Sequence, residues 1–178
     1  MTSPLLLHAA PGAGFDQPFE MLVACHERVQ RMLRLLQRLQ AHLAAHGADA
    51  QARQAAQDVM RYFDLAGPAH HEDEERHLFP PLQARGGQAM CSLVARLQQD
   101  HLAMAQQWSM VRGDLQAVAH GDWAMPAPGL AHWAGFAALY QDHIQAEEGQ
   151  AYPAAQALLD GPAQAAMGRE MARRRGAA

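Results

Sequence analysis

The sequence contains no lysine and only two cysteines, and aromatic residues make up 6% of its 178 residues. Cys25 and Cys91 are too few for a disulfide framework and form no Cys-x-x-Cys pair, which argues against a disulfide scaffold and a thiolate zinc site. No apolar run approaches the roughly 20 residues that a membrane-spanning helix needs. The short run at residues 5–7 has no basic flank, so it predicts no signal peptide. We therefore expect a cytoplasmic protein with reduced cysteines.

The charge balance argues against one class of partner. Fourteen arginines are outnumbered by eighteen acidic residues, for a net charge of −4 at pH 7. Proteins that coat nucleic acids need a positive surface to neutralise phosphates. We therefore expect neither a nucleic acid nor a membrane as partner. The assembly state stays open, and a homodimer is one expected form.

Residues that favour β-strands are scarce, whereas alanine, leucine, glutamine and arginine, which favour helices, are abundant. Glycine and proline clusters divide the chain into long helical segments. The predicted helices span residues 15–46, 50–83, 88–120 and 130–158, with a short fifth helix at 163–174. Short connections predict an all-α, up-down-up-down four-helix bundle. The predicted organisation is an N-terminal tail (1–14), the bundle (15–160) and a C-terminal short helix or tail (161–178).

Three local features carry separate predictions. In the first helix, apolar residues recur at steps of three and four and form a stripe with His26 inside it, so His26 should face the bundle interior. Gly67-Pro68 predicts a kink or a restart of the second helix, because proline lacks the N–H group that a helix needs. The three arginines at 173–175 predict a frayed, solvated end.

One internal repeat stands out. Residues 70–80 and 143–153 both read His-x-x-x-Glu-Glu-x-x-x-aromatic-Pro, and the second copy begins 73 residues after the first. The first and third helices each add one histidine, His26 and His101, at a similar separation of 75 residues. The pattern predicts a duplicated helical hairpin that points four histidines and two glutamates at one interior.

Helical geometry turns this repeat into a metal-binding hypothesis. Residues four apart lie on one face of a helix, so each His-x-x-x-Glu is a ready chelate. Buried carboxylates need counter-charges, and transition metals accept imidazole and carboxylate ligands together. Each glutamate can place one oxygen on each of two ions. The predicted ligands of this two-metal site are His26, His70, Glu74, His101, His143 and Glu147.

Counting ligands predicts open positions on the metals. Two six-coordinate ions have about twelve positions, and four imidazoles with two bridging carboxylates fill about eight of them. About four remain for solvent or an external ligand. A structural zinc site is closed and four-coordinate, so this ligand set argues against one.

Two alternatives in the second helix remain open. His71 and Glu75 are also four residues apart and could form the chelate instead, but the single His143 of the fourth helix aligns with His70. In the favoured register, His71, Glu72 and Glu75 are outer-layer or solvated residues. His77 shares the face of His70, yet its repeat partner is Gln150, so it remains an alternative ligand.

These residues resemble the hemerythrin-like family, also called the HHE cation-binding domain, over about residues 15–158. The resemblance rests on His26, His101 and the two repeats at 70–80 and 143–153. It implies a four-helix bundle holding two iron ions in a non-haem centre, with Glu74 and Glu147 bridging them and the histidines divided between them. Members of the family bind oxygen, sense oxygen, iron or redox state, or help to protect and repair iron centres under nitric oxide or oxidative stress.

The chain departs from the oxygen-carrying members at one position. Those members have a fifth histidine one turn after the histidine of the third helix, where this chain has Ala105. The departure argues against reversible oxygen carriage and implies a solvent position on one iron. We expect a protein that binds or senses oxygen or nitric oxide or acts in iron or oxidative stress. The alternative is a di-iron enzyme that reduces peroxide or nitric oxide or repairs damaged iron centres.

Overall fold

The computed structural model describes residues 14–124 and 130–177, and every regular element within them is helical. The α-helices are α1 (Pro18–His46), α2 (Ala50–Asp73), α3 (Phe79–Arg85), α4 (Gly87–His120), α5 (Ala131–Ala146), α6 (Tyr152–Leu158) and α7 (Gly161–Arg174). Almost all of the predicted tail at 1–14 lies outside the described residues, as does part of the loop before α5.

Four long rods form the bundle. The second rod is α2 with α3, and the fourth is α5 with α6, each joined by a short π-helical turn. The first rod is α1 and the third is α4. Helix α1 packs on α2, α2 packs on α4, and α4 packs on α5, which closes the ring by packing on α1. The predicted all-α bundle is confirmed, and the short fifth helix, α7, packs against α1. None of the described helices is long and apolar enough to cross a membrane.

The helix boundaries follow from local chemistry. Helix α1 begins at Pro18, where a missing N–H group costs nothing, and ends at His46, just before Gly47, whose φ of 70° suits a residue without a side chain. Asp49 caps α2 by accepting a hydrogen bond from the Ala52 N–H at 2.8 Å, and Asp160 caps α7 in the same way. Each long rod therefore starts and stops within a few residues of its predicted limits.

The predicted restart at Gly67-Pro68 is wrong. Helix α2 runs from Ala50 to Asp73 with Pro68 inside it. Gly67 is buried, and a Cβ added there would meet the Phe63 ring and the Tyr140 hydroxyl at 3.8 Å. Both distances are ordinary van der Waals contacts, so Gly67 neither breaks the helix nor is required by close packing.

The helical pattern breaks instead at the two repeats. The π turns span Glu74–Leu78 and Glu147–Ala151, and in each the last bond runs over five residues: Phe79 N–H donates to the Glu74 carbonyl, and Tyr152 N–H to that of Glu147. The residue after each aromatic is a proline, which cannot donate an α-helical hydrogen bond and pushes away the carbonyl four residues back. A wider turn relieves that clash. These turns were not predicted from the sequence, although both repeats share the spacing Glu-x-x-x-x-aromatic-Pro.

The core is divided into two apolar clusters. One, around Leu36, Phe63 and Trp133, fills the end of the bundle near the α1–α2 turn. The other, around Leu22, Leu82 and Met171, fills the opposite end. His26 follows Leu22 of one cluster and precedes Val29 of the other, as its predicted inward position requires. The six predicted ligands form a polar layer between the two clusters.

Candidate metal centre

The six residues predicted as ligands come together in this polar layer. They are contributed by all four rods, and each is at most 6% exposed. Both glutamates are completely buried and are the first residues of the two π turns. The repeat thus places the two acidic groups in the second and fourth rods, which face each other across the bundle, where no water can solvate them.

Among the described residues, three groups of donor atoms could hold a cation: one contains only histidines (His71, His101 and His143), and the other two share both carboxylates. Of these two, the first group contains His26, His70, Glu74 and Glu147; the second contains His101 and His143 with the same two glutamates. Within each group, one nitrogen or oxygen atom per residue lies within 4.8 Å of all the others. This arrangement is the one that two neighbouring cations with shared carboxylates require.

The two oxygens of each glutamate divide between the groups. Glu74 Oε1 lies 3.3 Å from His70 Nε2, and Glu74 Oε2 lies 3.4 Å from His101 Nε2. Glu147 Oε2 lies 3.1 Å from His26 Nε2, and Glu147 Oε1 lies 2.9 Å from His143 Nε2. In each carboxylate, one oxygen therefore lies beside a histidine of the first group and the other oxygen beside a histidine of the second group. This is the arrangement of a bridging ligand.

Several of these buried atoms have no hydrogen-bond partner among the described residues: both nitrogens of His70, Oε2 of Glu74 and both oxygens of Glu147. Buried polar atoms in proteins are almost always paired, because leaving one unpaired costs about 1–3 kcal/mol. Here the atoms are close together but aimed at common points rather than at each other's protons. Cations at those points would satisfy the carboxylate oxygens and one nitrogen of His70, so the donor set fits a metal centre.

The charges lead to the same conclusion. Burial and the neighbouring carboxylate of Glu74 raise the pKa of Glu147 to about 8. Burial also acts to raise the pKa of Glu74, but His70 and His101 outweigh it and hold that pKa well below its ordinary value. Burial lowers the pKa of His70 to about 3, so its ring is neutral at pH 7 and can act as a ligand. Without a cation, the pair of carboxylates keeps a proton; a cation can replace it.

A second layer of carboxylates orients three of the four histidines. His26 Nδ1–H donates to Glu148 at 2.8 Å, and His101 Nδ1–H donates to Glu75 at 2.8 Å. His143 Nδ1 lies 3.3 Å from Asp100. An Nδ1–H bond to a carboxylate leaves the Nε2 lone pair facing inward and makes the ring a stronger ligand.

The second glutamate of each Glu-Glu pair therefore has its own role. Glu75 extends from the second rod to a histidine of the third, and Glu148 extends from the fourth rod to a histidine of the first. The sequence analysis placed Glu75 in an outer layer or in solvent but did not single out Glu148 or Asp100. The doubled glutamate in both repeats was the signal for the first two, whereas the position of Asp100 has no counterpart in the repeat.

We expect Glu148→Gln to weaken iron binding by about 10-fold to 100-fold, because the loss of an outer carboxylate makes a histidine a poorer ligand. Competition with a coloured chelator measures the change. Glu27→Gln, an exposed change in the same helix as His26, is the matched control and should bind iron like the unmodified chain. Equal affinities for Glu148→Gln and the control would contradict the orienting role.

The alternative ligands His71, Glu75 and His77 make other contacts. The ring of His71 stacks on that of His101, with centroids 4.0 Å apart and planes inclined by 10°. A metal binds imidazole in the plane of the ring, so two stacked rings cannot both hold one ion. Glu75 points to the outer nitrogen of His101, and His77 pairs with Glu170 of α7 at 2.7 Å. The His70/Glu74 register is the one that converges on the carboxylate-lined interior.

Fold and site together define a class: a helical bundle with a buried, two-part cation site built from histidine and carboxylate ligands. The family model of the hemerythrin HHE cation-binding domain matches residues 17–155. The chain belongs to this family, whose domain binds cations. It is also 33% identical over 104 residues to a protein of Haemophilus influenzae described as uncharacterized. That match covers 58% of this chain and 60% of the relative.

Proposed function

We propose that this chain is a non-haem di-iron protein that binds or senses oxygen or nitric oxide, as part of a cytoplasmic response to iron or oxidative stress. The observation that supports it best is the division of each buried carboxylate between two histidine pairs. Imidazole with bridging carboxylate suits iron, whereas calcium and magnesium prefer oxygen ligands alone. Iron ions in such a site would supply ligand binding and electron exchange.

The residues around the site define what the protein itself contributes. Four histidines and two glutamates would hold the ions, and three outer carboxylates would fix the histidine orientations. Ala105 is exposed and adds no nitrogen, while the neighbouring Met104 is buried in the apolar cluster. The open positions left by this ligand count support binding of a small diatomic molecule, which is the partner that we propose.

A reconstitution experiment distinguishes binding from catalysis. The chain is loaded with ferrous iron without oxygen, and oxygen or nitric oxide is then added while absorption is recorded. A stable band that disappears when the gas is removed supports the binding function. Rapid turnover of added peroxide, without such a band, supports the di-iron enzyme instead. A chain that takes up no iron at all would contradict both.

Iron affinity should fall as the pH decreases through about 6.5, the ordinary histidine pKa, because protons compete with the metal for imidazole. Burial lowers the pKa of His26, but Glu147 more than reverses this and raises it above 6.5; the balance at His101, beside Glu74, is similar. These two rings therefore take up protons first as the pH falls. Iron titrations between pH 5 and pH 8 test this, and an affinity independent of pH would argue against histidine ligation.

A further inference from the structure

The two repeats place different aromatic rings beside the two halves of the site. Phe79 and Tyr152 occupy the same position in the two repeats, and each ring stacks on a histidine of another rod. Phe79 lies on His101 with centroids 5.7 Å apart and planes inclined by 22°; Tyr152 lies on His26 at 5.4 Å and 11°. Because the packing is the same, the phenol group is the chemical difference between these two aromatic positions.

The phenol oxygen lies among the donor atoms of the first group. Tyr152 Oη donates a short hydrogen bond to Glu74 Oε1 and lies 3.1 Å from His26 Nε2. The side chain is buried, so water does not reach it.

The spacing of these atoms matches the coordination shell of one ion. With metal–ligand bonds of about 2.1 Å, adjacent ligands of an octahedral ion lie about 3.0 Å apart and opposite ligands about 4.2 Å apart. His26 Nε2 is 4.0 Å from Glu74 Oε1, as an opposite pair would be, and 3.1 Å from Glu147 Oε2, as an adjacent pair would be. Tyr152 Oη, also 3.1 Å from His26 Nε2, lies at the distance of a further adjacent ligand. Its short hydrogen bond to Glu74 Oε1 is closer than two ligands lie, so this contact has to lengthen when the proton leaves.

We propose that Tyr152 Oη is a fifth protein ligand of the ion held by His26 and His70. On binding ferric iron, the phenol O–H bond breaks, an O–Fe bond forms, and the proton leaves to solvent. Glu74, no longer bonded to that proton, is free to share the ion. The inference rests on the proposed iron site, and it makes the two ions unequal. Phe79 leaves the His101 and His143 side without this ligand, so that side is where an external molecule would bind.

The test is spectroscopic and needs no activity. Ferric iron bound to a phenolate absorbs visible light by charge transfer, and excitation into that band enhances tyrosine ring vibrations in the Raman spectrum. The full chain loaded with ferric iron should show both signals, and Tyr152→Phe should lose both while retaining two ions. Tyr140→Phe is the matched control, because this phenol is also buried but, unlike Tyr152, makes no hydrogen bond to the predicted ligands among the described residues, and both signals should persist.

Two outcomes would overturn the proposal, and they are distinguishable. If Tyr152→Phe binds two ions and its spectrum equals that of the unmodified chain, Tyr152 is not a ligand, but the iron site stands. If the unmodified chain takes up no iron, both the site and the phenol ligand are overturned. Ring-deuterated tyrosine gives a second measurement on the unmodified chain, which does not depend on the folding of the variant. The enhanced vibrations should shift, and their failure to shift would overturn the phenolate assignment.

Discussion

Replacing His70 with alanine is expected to remove one of the two iron ions and to lower the melting temperature of the iron-loaded protein by about 10 °C. A ligand present at about a thousand times its dissociation constant stabilises the folded state by about 4 kcal/mol. For a chain of this size, each kcal/mol corresponds to about 2–4 °C. Metal analysis and thermal unfolding of the loaded protein measure the two effects.

The metal-free protein provides an internal control for this result. Both nitrogens of His70 lack a hydrogen-bond partner among the described residues, so the substitution breaks no hydrogen bond when iron is removed by a chelator. The loss in melting temperature should therefore shrink once the protein is metal-free.

The neighbouring His71→Ala tests the register. The His71 ring packs on the face of His101 outside the carboxylate pair, so this variant should retain both ions and lose less stability. If His71→Ala loses as much iron as His70→Ala, the favoured register is wrong.

Replacing Arg174 and Arg175, which bind the Asp73 carboxylate, is expected to lower the melting temperature about as much as His70→Ala does. Asp73 precedes Glu74 and is completely buried. Its carboxylate accepts hydrogen bonds from Arg174 and from Arg175, with Arg175 Nη2 at 2.5 Å from Oδ2. The predicted frayed end is therefore wrong for these two arginines, because the buried carboxylate attracts them and folds α7 back onto the second rod.

The double variant Arg174→Ala/Arg175→Ala leaves the Asp73 carboxylate buried and unpaired. Breaking a buried ion pair costs roughly 3–5 kcal/mol, and the lower end applies here because both arginines keep some exposure to water. At about 2–4 °C per kcal/mol, the melting temperature should fall by about 10 °C even without metal. Differential scanning calorimetry of the metal-free protein measures it.

Arg173→Ala is the matched control, since Arg173 lies in the same helix but is exposed. It should melt within about 1 °C of the unmodified chain, because exposed substitutions change stability little. A double variant that also carries Asp73→Asn should recover part of the lost stability, because the unpaired charge is gone. No recovery would show that α7 acts through packing and not through this ion pair.

Much of the fold could be read from periodicity. The apolar stripe of α1 predicted the buried positions around His26, and glycine and proline marked the rod ends to within a few residues. A local rule failed at Gly67-Pro68, which looks like a break although α2 continues through it as one helix.

The candidate site, like the fold, was predicted only in part from the sequence. The repeat predicted which six side chains converge, because residues four apart on a helix share a face and the two copies must superpose. It did not predict that Glu148 and Glu75 would orient histidines of other rods, since hydrogen bonds between rods depend on their relative heights. It also did not reveal that Tyr152 contacts Glu74, 78 residues away in the chain.

The sequence alone thus determined the helical class, the rods and the inventory of imidazole and carboxylate groups, because these follow from periods of three and four residues along one chain. Tertiary structure alone decided which oxygen faces which histidine, which carboxylates support the rings and where the arginines of α7 bind. Those choices depend on the relative positions of separate rods, where a shift of a few tenths of an ångström changes which atoms meet. The packing of the two apolar clusters around the polar layer sets these positions.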